Sequence, residues 1–318
     1  MLTRFFAVAG LLYLAFLGAN LLLPGLHSGA DQIYAAKFRY IRHNKVFRSG
    51  ATCRVLICGG SKVLSGFQPL LFDRLAGTNV SSFNLGMPGS ESFIWGPESL
   101  VARGEAPTHL LLTEAWGTND VHDLLAALRS DDQLMWRLFP FRKLPRDLVL
   151  FTLRSWKNGG LRAYYRHVLE IVAQMERDRG YHFIVSQSHY PGHRLPSDYH
   201  REGDDPTYVK ERKLLTEGPI FQRLKRAMHE GGIQVFVVPS YYREGEVAPT
   251  QPNLAARERL AAADIRLCGP DYWVFPPSYF SDSAHLNPEG AREYTERLWR
   301  LVGPWLKDTP SGSAGGGG

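Results

Sequence analysis

Five short apolar runs punctuate the chain, at 54–58, 80–84, 109–114, 181–186 and 233–238, each closed by glycine, proline or polar residues. Branched and aromatic side chains in runs of this length predict buried strands. Between the runs lie longer stretches with helical spacing: Pro69 to Leu75, Leu161 to Arg179 and Tyr208 to Glu230. Gly231-Gly232 stops the last of these just ahead of a strand. A final helix opens at Asn287-Pro288-Glu289. There Asn caps, Pro suits the first helical position and Glu favours the positive helix end. Gly303-Pro304 predicts its stop near Leu301. Strands that alternate with helices predict an α/β fold, a parallel sheet with helices on both faces.

Three stretches break the alternation. Phe5 to Leu23 carries no charge and is long enough to cross a bilayer as a helix. Leu17-Gly18-Ala19 is a poor cleavage site and the apolar run continues past it, so an uncleaved anchor over residues 1–23 is expected rather than a signal peptide. Arg4 and the amino terminus flank the run closely, whereas Lys37, Arg39, Arg42, Lys45 and Arg48 lie farther along. The close flank places the N-terminus inside and the main domain outside the cytoplasmic compartment. Residues 24–49 read as a stalk, with Tyr34, Phe38, Tyr40 and Phe47 set among basic residues; the domain proper is expected over 50–306. Val121 to Trp156, rich in large apolar residues, predicts a helical insert; cleft wall, membrane contact and extra core all stay open for it. Gln187 to Asp205 is polar and holds His189, His193, His200, Asp198, Asp204 and Asp205. Their spacing matches no ordered metal site, and a mobile entrance loop is expected. The glycine-rich tail, 307–318, is low complexity.

Composition narrows the function classes. With 44% hydrophobic and 21% charged residues, the chain of 318 residues can bury a sizeable core. Its formal charge of +6 is spread without a dense Lys/Arg stripe, which argues against nucleic acid as partner. Three cysteines, Cys53, Cys58 and Cys268, are an odd count without metal spacing. That excludes a disulfide framework and a zinc site, while a bridge from Cys53 or Cys58 to Cys268 stays open. No cofactor and no metal are expected.

The candidate chemistry sits after the predicted strands. Strand one ends in Gly59-Gly60-Ser61, and strand two runs into Asn84-Leu85-Gly86. Strand three is followed by Gly117-Thr118-Asn119-Asp120, and Asp282-Ser283-Ala284-His285 follows the last strand. In a parallel sheet all four segments share the edge where ligands collect. Ser61 is a candidate nucleophile, inert until a base takes its proton. His285 is the natural base near neutral pH. Asp282 can hold the other imidazole nitrogen and fix the tautomer, giving the order Ser, Asp, His. The backbone N–H groups of Ser61 and Gly86 and the side chain of Asn119 are candidate donors to an oxyanion. Lys62 either faces solvent or meets an anionic substrate. Trp116, two residues after Glu114, either stacks on a sugar or walls the cleft, and His189 and Tyr190 are candidate lining residues.

These blocks resemble those of the SGNH (GDSL-like) hydrolases, a family named for a Ser, a Gly, an Asn and a His. Gly117-Thr118-Asn119-Asp120 and Asp282-Ser283-Ala284-His285 fit the third and last blocks. The first departs from Gly-Asp-Ser-Leu, with Gly60 before the serine and Lys62 after it. The run from Gly60 to Pro69 is similar to membrane-anchored bacterial SGNH-like proteins of envelope and exopolysaccharide acylation. The resemblance implies a three-layer α/β/α, flavodoxin-like fold with about five parallel strands. It implies a serine esterase on an O-acylated, typically O-acetylated, envelope glycan; an O-acyltransferase with the same residues and a non-catalytic accessory protein are the alternatives. It also implies a single-pass protein of the bacterial inner membrane with its catalytic domain in the periplasm. Its partners would be an acylated carbohydrate, the lipid bilayer through residues 5–23 and a membrane-bound acyltransferase.

Overall fold

The computed structural model describes residues 2–22, 30–88, 93–113, 144–157, 159–184, 188–209, 218–250 and 254–307. The chain divides into two compact units, 1–39 with 121–174 and 40–120 with 175–318.

The second unit is built on a five-stranded parallel sheet. Its strands are β1 (Cys53–Gly59), β2 (Val80–Gly86), β3 (His109–Leu112), β4 (Gln234–Val237) and β6 (Ile265–Leu267), in the order β2-β1-β3-β4-β6. Two further strands, β5 (Ser240–Arg243) and β7 (Tyr272–Phe275), pair with each other, also in parallel. Val55, Leu56, Ile57 and Cys58 of β1 are all fully buried, so both faces of the central strand are covered. That explains why β1 reads as a continuous apolar run rather than an alternating one. Strand order reverses direction between β1 and β3, and the crevice outside the carboxyl ends there is where such sheets bind ligands.

Helices α3 (Ser61–Gly66), α4 (Pro69–Ala76), α5 (Trp95–Ala102), α8 (Gly218–Gly231), α9 (Leu254–Ala261) and α10 (Pro288–Lys307) complete the unit. Proline opens α4, and Gly77 closes it at φ 96°, a conformation that disfavours any side chain. Asn287 caps α10, its Oδ1 accepting the Gly290 N–H at 2.9 Å. Phe72 of α4 and Tyr294 and Leu298 of α10 pack in one cluster with Val55 and Ile57 of β1 and Phe236 of β4.

Several expectations are corrected. The strand expected at 181–186 is absent over its described part, 181–184. Here the chain crosses the β2 edge through two positive-φ residues, Arg179 and Gly180. The Asn84 N–H donates to Arg179 O at 2.9 Å and the His182 N–H to Leu64 O at 3.1 Å. These are single bonds to two different elements, so no ladder forms. Gly180 is required: a Cβ there would lie 2.1 Å from Asn84 O. The fifth strand of the sheet is instead β6, whose three residues are too few to show a period. Helix α8 begins at Gly218, and Tyr208 and Val209 are not helical. Helix α10 runs past Gly303-Pro304 to Lys307. The lost hydrogen bond at Pro304 is outweighed by burial of Val302 and Leu306 on the core face.

The stretch expected as a stalk contains a helix, α2 (Ala30–His43). Within the second unit its last turn packs down. Tyr40 stacks on Phe83 with centroids 5.4 Å apart, Arg103 donates to Ile41 O, and Val46 and Phe47 are buried.

The first unit holds α1 (Leu2–Leu22), most of α2, α6 (Leu144–Lys157) and most of α7 (Leu161–Arg177). Of the expected insert, 121–143 lies outside the described residues and the rest belongs to α6. Asp147, Phe151 and Ser155 form the buried face of α6, and Phe151 meets Tyr164 of α7 with centroids 5.0 Å apart. Helix α1 covers the uncharged N-terminal run, and its Phe5, Phe6, Val8, Leu11 and Leu14 are more than half exposed. Among the described residues no helix is long and apolar enough to cross a membrane.

Within the sheet, one buried histidine makes folding pH-sensitive. His109 is fully buried, with Nδ1 2.8 Å from Thr108 Oγ1 and 3.5 Å from Cys53 Sγ. Burial pushes its imidazole down to about 4. The unfolded chain therefore takes up a proton below its ordinary value of about 6.5 that the folded chain refuses. Stability from this group is complete above that value and is lost as pH falls toward 4. The full loss is about 3 kcal/mol. Urea midpoints measured at pH 7 and pH 4.5 should fall further for wild type than for His109→Gln. Equal falls would show that His109 does not carry the effect.

Candidate active site

Strand β1 ends where α3 begins. Gly59 is forced by close packing: a Cβ there would lie 2.4 Å from Thr113 Oγ1 and from Val63 Cγ2. Ser61 follows two residues later as the first residue of α3. Its backbone N–H makes no hydrogen bond among the described residues, as expected at the start of a helix.

The partner segment follows β7. A bridge between Phe280 and Leu286 closes a short loop, pinned by Ser281 N–H to His285 O at 2.9 Å. Inside it, Asp282 Oδ1 accepts the N–H groups of Ala284 and His285 at 2.7 and 2.8 Å. This turn aims the carboxylate at its own neighbour, with His285 Nδ1 2.8 Å from Oδ2 and 3.1 Å from Oδ1. His285 Nε2 then lies 2.9 Å from Ser61 Oγ. An ionised carboxylate only accepts, so Nδ1 carries the proton and Nε2 turns its lone pair to the serine. Burial works to raise the Asp282 carboxyl. The His285 hydrogen bond and charge and the two backbone N–H groups outweigh it and hold the carboxyl below its ordinary value. The carboxylate stays ionised wherever histidine can serve as a base.

Asn84 holds the serine segment in place. Fully buried on β2, its Nδ2 donates to Val63 O and Phe67 O at 2.8 Å and to Leu64 O at 3.3 Å. Its Oδ1 accepts the Gly86 N–H at 2.7 Å. That bond corrects the expectation for Gly86: its N–H is directed to Asn84 and not toward an oxyanion. The glycine serves packing, since a Cβ at 86 would lie 2.2 Å from Leu64 N. Asn119, Trp116 and Glu114 lie outside the described residues. Of the candidate oxyanion donors, the Ser61 N–H is the one that the described residues place beside the nucleophile.

Lys62 is also corrected. Its ammonium folds back onto the chain rather than standing free in solvent. Nζ donates to Tyr241 O at 2.7 Å and lies 3.4 Å from the centroid of the Tyr242 ring. Tyr241 returns a bond, its hydroxyl donating to Lys62 O at 2.9 Å. Lys62→Met should therefore cost about 1–2 kcal/mol of stability and leave KM for a neutral ester unchanged. Thermal unfolding beside ester kinetics checks this.

The loop after residue 187 is tied down. Leu195 N–H donates to Phe280 O at 3.0 Å, Asn287 Nδ2 donates to His193 O at 2.9 Å, and Arg194 pairs with Glu289 at 2.6 Å. Asp204 pairs at 2.6 Å with Arg243, which is 1% exposed. His189 is exposed, and Tyr190 meets Tyr199 edge-on at 6.0 Å against the core, so neither ends a strand as expected. Arg201, unassigned by sequence reasoning, stands beside the loop of the acid and base, its Nη1 3.4 Å from Ser283 Oγ. Cys53, Cys58 and Cys268 are buried free thiols, which closes the open question of a bridge.

No protein-family model matches the chain. No curated protein and no solved structure matches it either. The chemistry rests on the geometry alone.

Proposed function

We propose that this protein is a serine esterase of the SGNH type that works through an acyl-enzyme. The observation that carries the reading is the relay Asp282–His285–Ser61, with hydrogen-bond distances of 2.8 and 2.9 Å, the second joining residues 224 positions apart. Ser61 Oγ attacks the ester carbonyl while His285 Nε2 takes its proton. The imidazolium, held by Asp282, then protonates the departing alcohol. Water, activated by the same nitrogen, releases the acid. The Ser61 N–H supplies one oxyanion donor, and Asn119 is proposed as another. The strand order supports a flavodoxin-like α/β/α arrangement with the site at its switch point.

The substrate proposed is an O-acylated, typically O-acetylated, glycan of the envelope. The uncharged N-terminal run supports an uncleaved anchor in the bacterial inner membrane, with the catalytic unit on the periplasmic side. A sugar hydroxyl in place of water would make the same residues an O-acyltransferase, with a membrane acyltransferase as partner.

A fluorophosphonate probe tests the reading. The folded chain should be labelled on the peptide that carries Ser61, and release of acetate from an acetyl ester should stop in step. A folded chain that resists labelling would overturn the esterase and leave the accessory-protein alternative. Acetate release with and without an added glycan acceptor separates water from a hydroxyl as the acyl acceptor.

A further inference from the structure

Helix α6 carries two apolar faces, and packing accounts for one. Asp147, Phe151 and Ser155 are buried. On the other side Val149, Leu153 and Trp156 are 59%, 61% and 90% exposed. At about 100° per residue these three fall within an arc of about 60°. Leu148 of α6 and Leu161, the first residue of α7, are exposed as well. A soluble surface rarely spends a tryptophan and several branched residues on one exposed stripe.

The charges beside the stripe say what it fits. Arg146 and Lys157 flank it on one side, and Arg154 of α6 and Arg162 and Arg166 of α7 are exposed too. Across the described side chains of 146–174 the exposed acid set against these five is Glu170, since Asp147 is buried and pairs with Arg146 at 2.8 Å. An apolar stripe with tryptophan at one end and a basic flank is the composition of a helix lying in a membrane interface. A protein groove would need acidic and apolar features matched to one shape. An anionic bilayer offers both everywhere along the surface.

We infer that the outer face of α6 docks in the plane of an anionic phospholipid surface, with Val149, Leu153 and Trp156 in the acyl–headgroup boundary and the basic flank on lipid phosphates. This is separate from any span formed by α1 and does not rest on the esterase reading.

The test uses the full chain with Leu153→Cys carrying a nitrobenzoxadiazole dye; the native thiols are buried. Added to vesicles of phosphatidylcholine with about one third phosphatidylglycerol, the dye should shift to the blue and brighten about twofold or more. Lipids with a shallow doxyl label should quench it. The same dye at Lys225→Cys on α8 should not respond. Arg154→Glu with Lys157→Glu should remove the response at 153 while the circular dichroism is unchanged. The inference is overturned if the dye at 153 is not quenched, or if quenching persists unchanged in pure phosphatidylcholine and in the charge-reversed variant. It is equally overturned if the dye is already blue-shifted without vesicles, because another segment or a second copy then covers the face.

Discussion

Ser61→Ala is expected to lower acetyl-ester turnover by about 10⁴–10⁶ and to abolish fluorophosphonate labelling. The size follows from the unity of the relay. His285 Nε2 at 2.9 Å has no other proton to take from this site once Oγ is gone, so the covalent route closes. Little of the site should be disturbed, because Ser61 contributes its carbonyl, not its hydroxyl, to the local fold, accepting Ser65 Oγ at 3.0 Å. His285→Ala should fall by a similar factor, and the double variant by hardly more than either alone. Asp282→Asn asks a finer question. An amide nitrogen cannot accept from Nδ1, so the imidazole is pushed toward the tautomer that presents N–H to the serine, with a loss of about 10⁴. That variant also weakens the acceptor for the Ala284 and His285 N–H groups, so its melting temperature must be read beside its rate. Near-additive losses in the double variant would mean that the two residues do not act as a unit, and the relay would have to be abandoned.

The parts of the fold legible from sequence are those where burial acts on a long enough run. Strand β1 shows its apolar character because both faces of the sheet are covered there. Strand β6, at three residues, and strands β5 and β7, at four each, are too short to show a period. The segment after residue 180 misled for a physical reason. Tyr181 is apolar because it packs on the core cluster, not because its backbone pairs. Helix α10 outran its proline because Val302 and Leu306 beyond the expected stop are buried. At the site, Ser61, Asp282 and His285 were legible from residue type and position after strands. Gly86 was not, because its N–H turns to a side chain two residues away. Lys62 was not, because the carbonyl and ring that hold its ammonium come from 241 and 242.

Asn84→Leu should destabilise the chain by about 3–5 kcal/mol. A polar residue inside a strand that is otherwise buried is a signal the sequence carries, since Val80-Ser81-Ser82-Phe83-Asn84-Leu85-Gly86 has no exposed face to need it. Leucine has the same branched skeleton and is no smaller, so no cavity contributes to the loss. The carbonyls of Val63 and Phe67 lose a donor at 2.8 Å each, and the Gly86 N–H loses its acceptor at 2.7 Å. A buried polar group stripped of its partner costs about 1–3 kcal/mol. Leu64 O and Val63 O keep a second donor, the His182 and Phe67 N–H groups at 3.1 Å each, so the main losses fall on Phe67 O and the Gly86 N–H. Asn84→Asp divides the two halves of the role: the acceptor for Gly86 survives, and the donors to the end of α3 become a charge facing carbonyls. It should be at least as damaging as leucine. Because those carbonyls belong to the helix that begins with Ser61, folded Asn84→Leu protein should also lose kcat while an ester's KM changes little. Chemical denaturation with ester kinetics on the same preparations checks both. A stable, fully active Asn84→Leu chain would mean that α3 is held from its other side, through Tyr241 and Lys62.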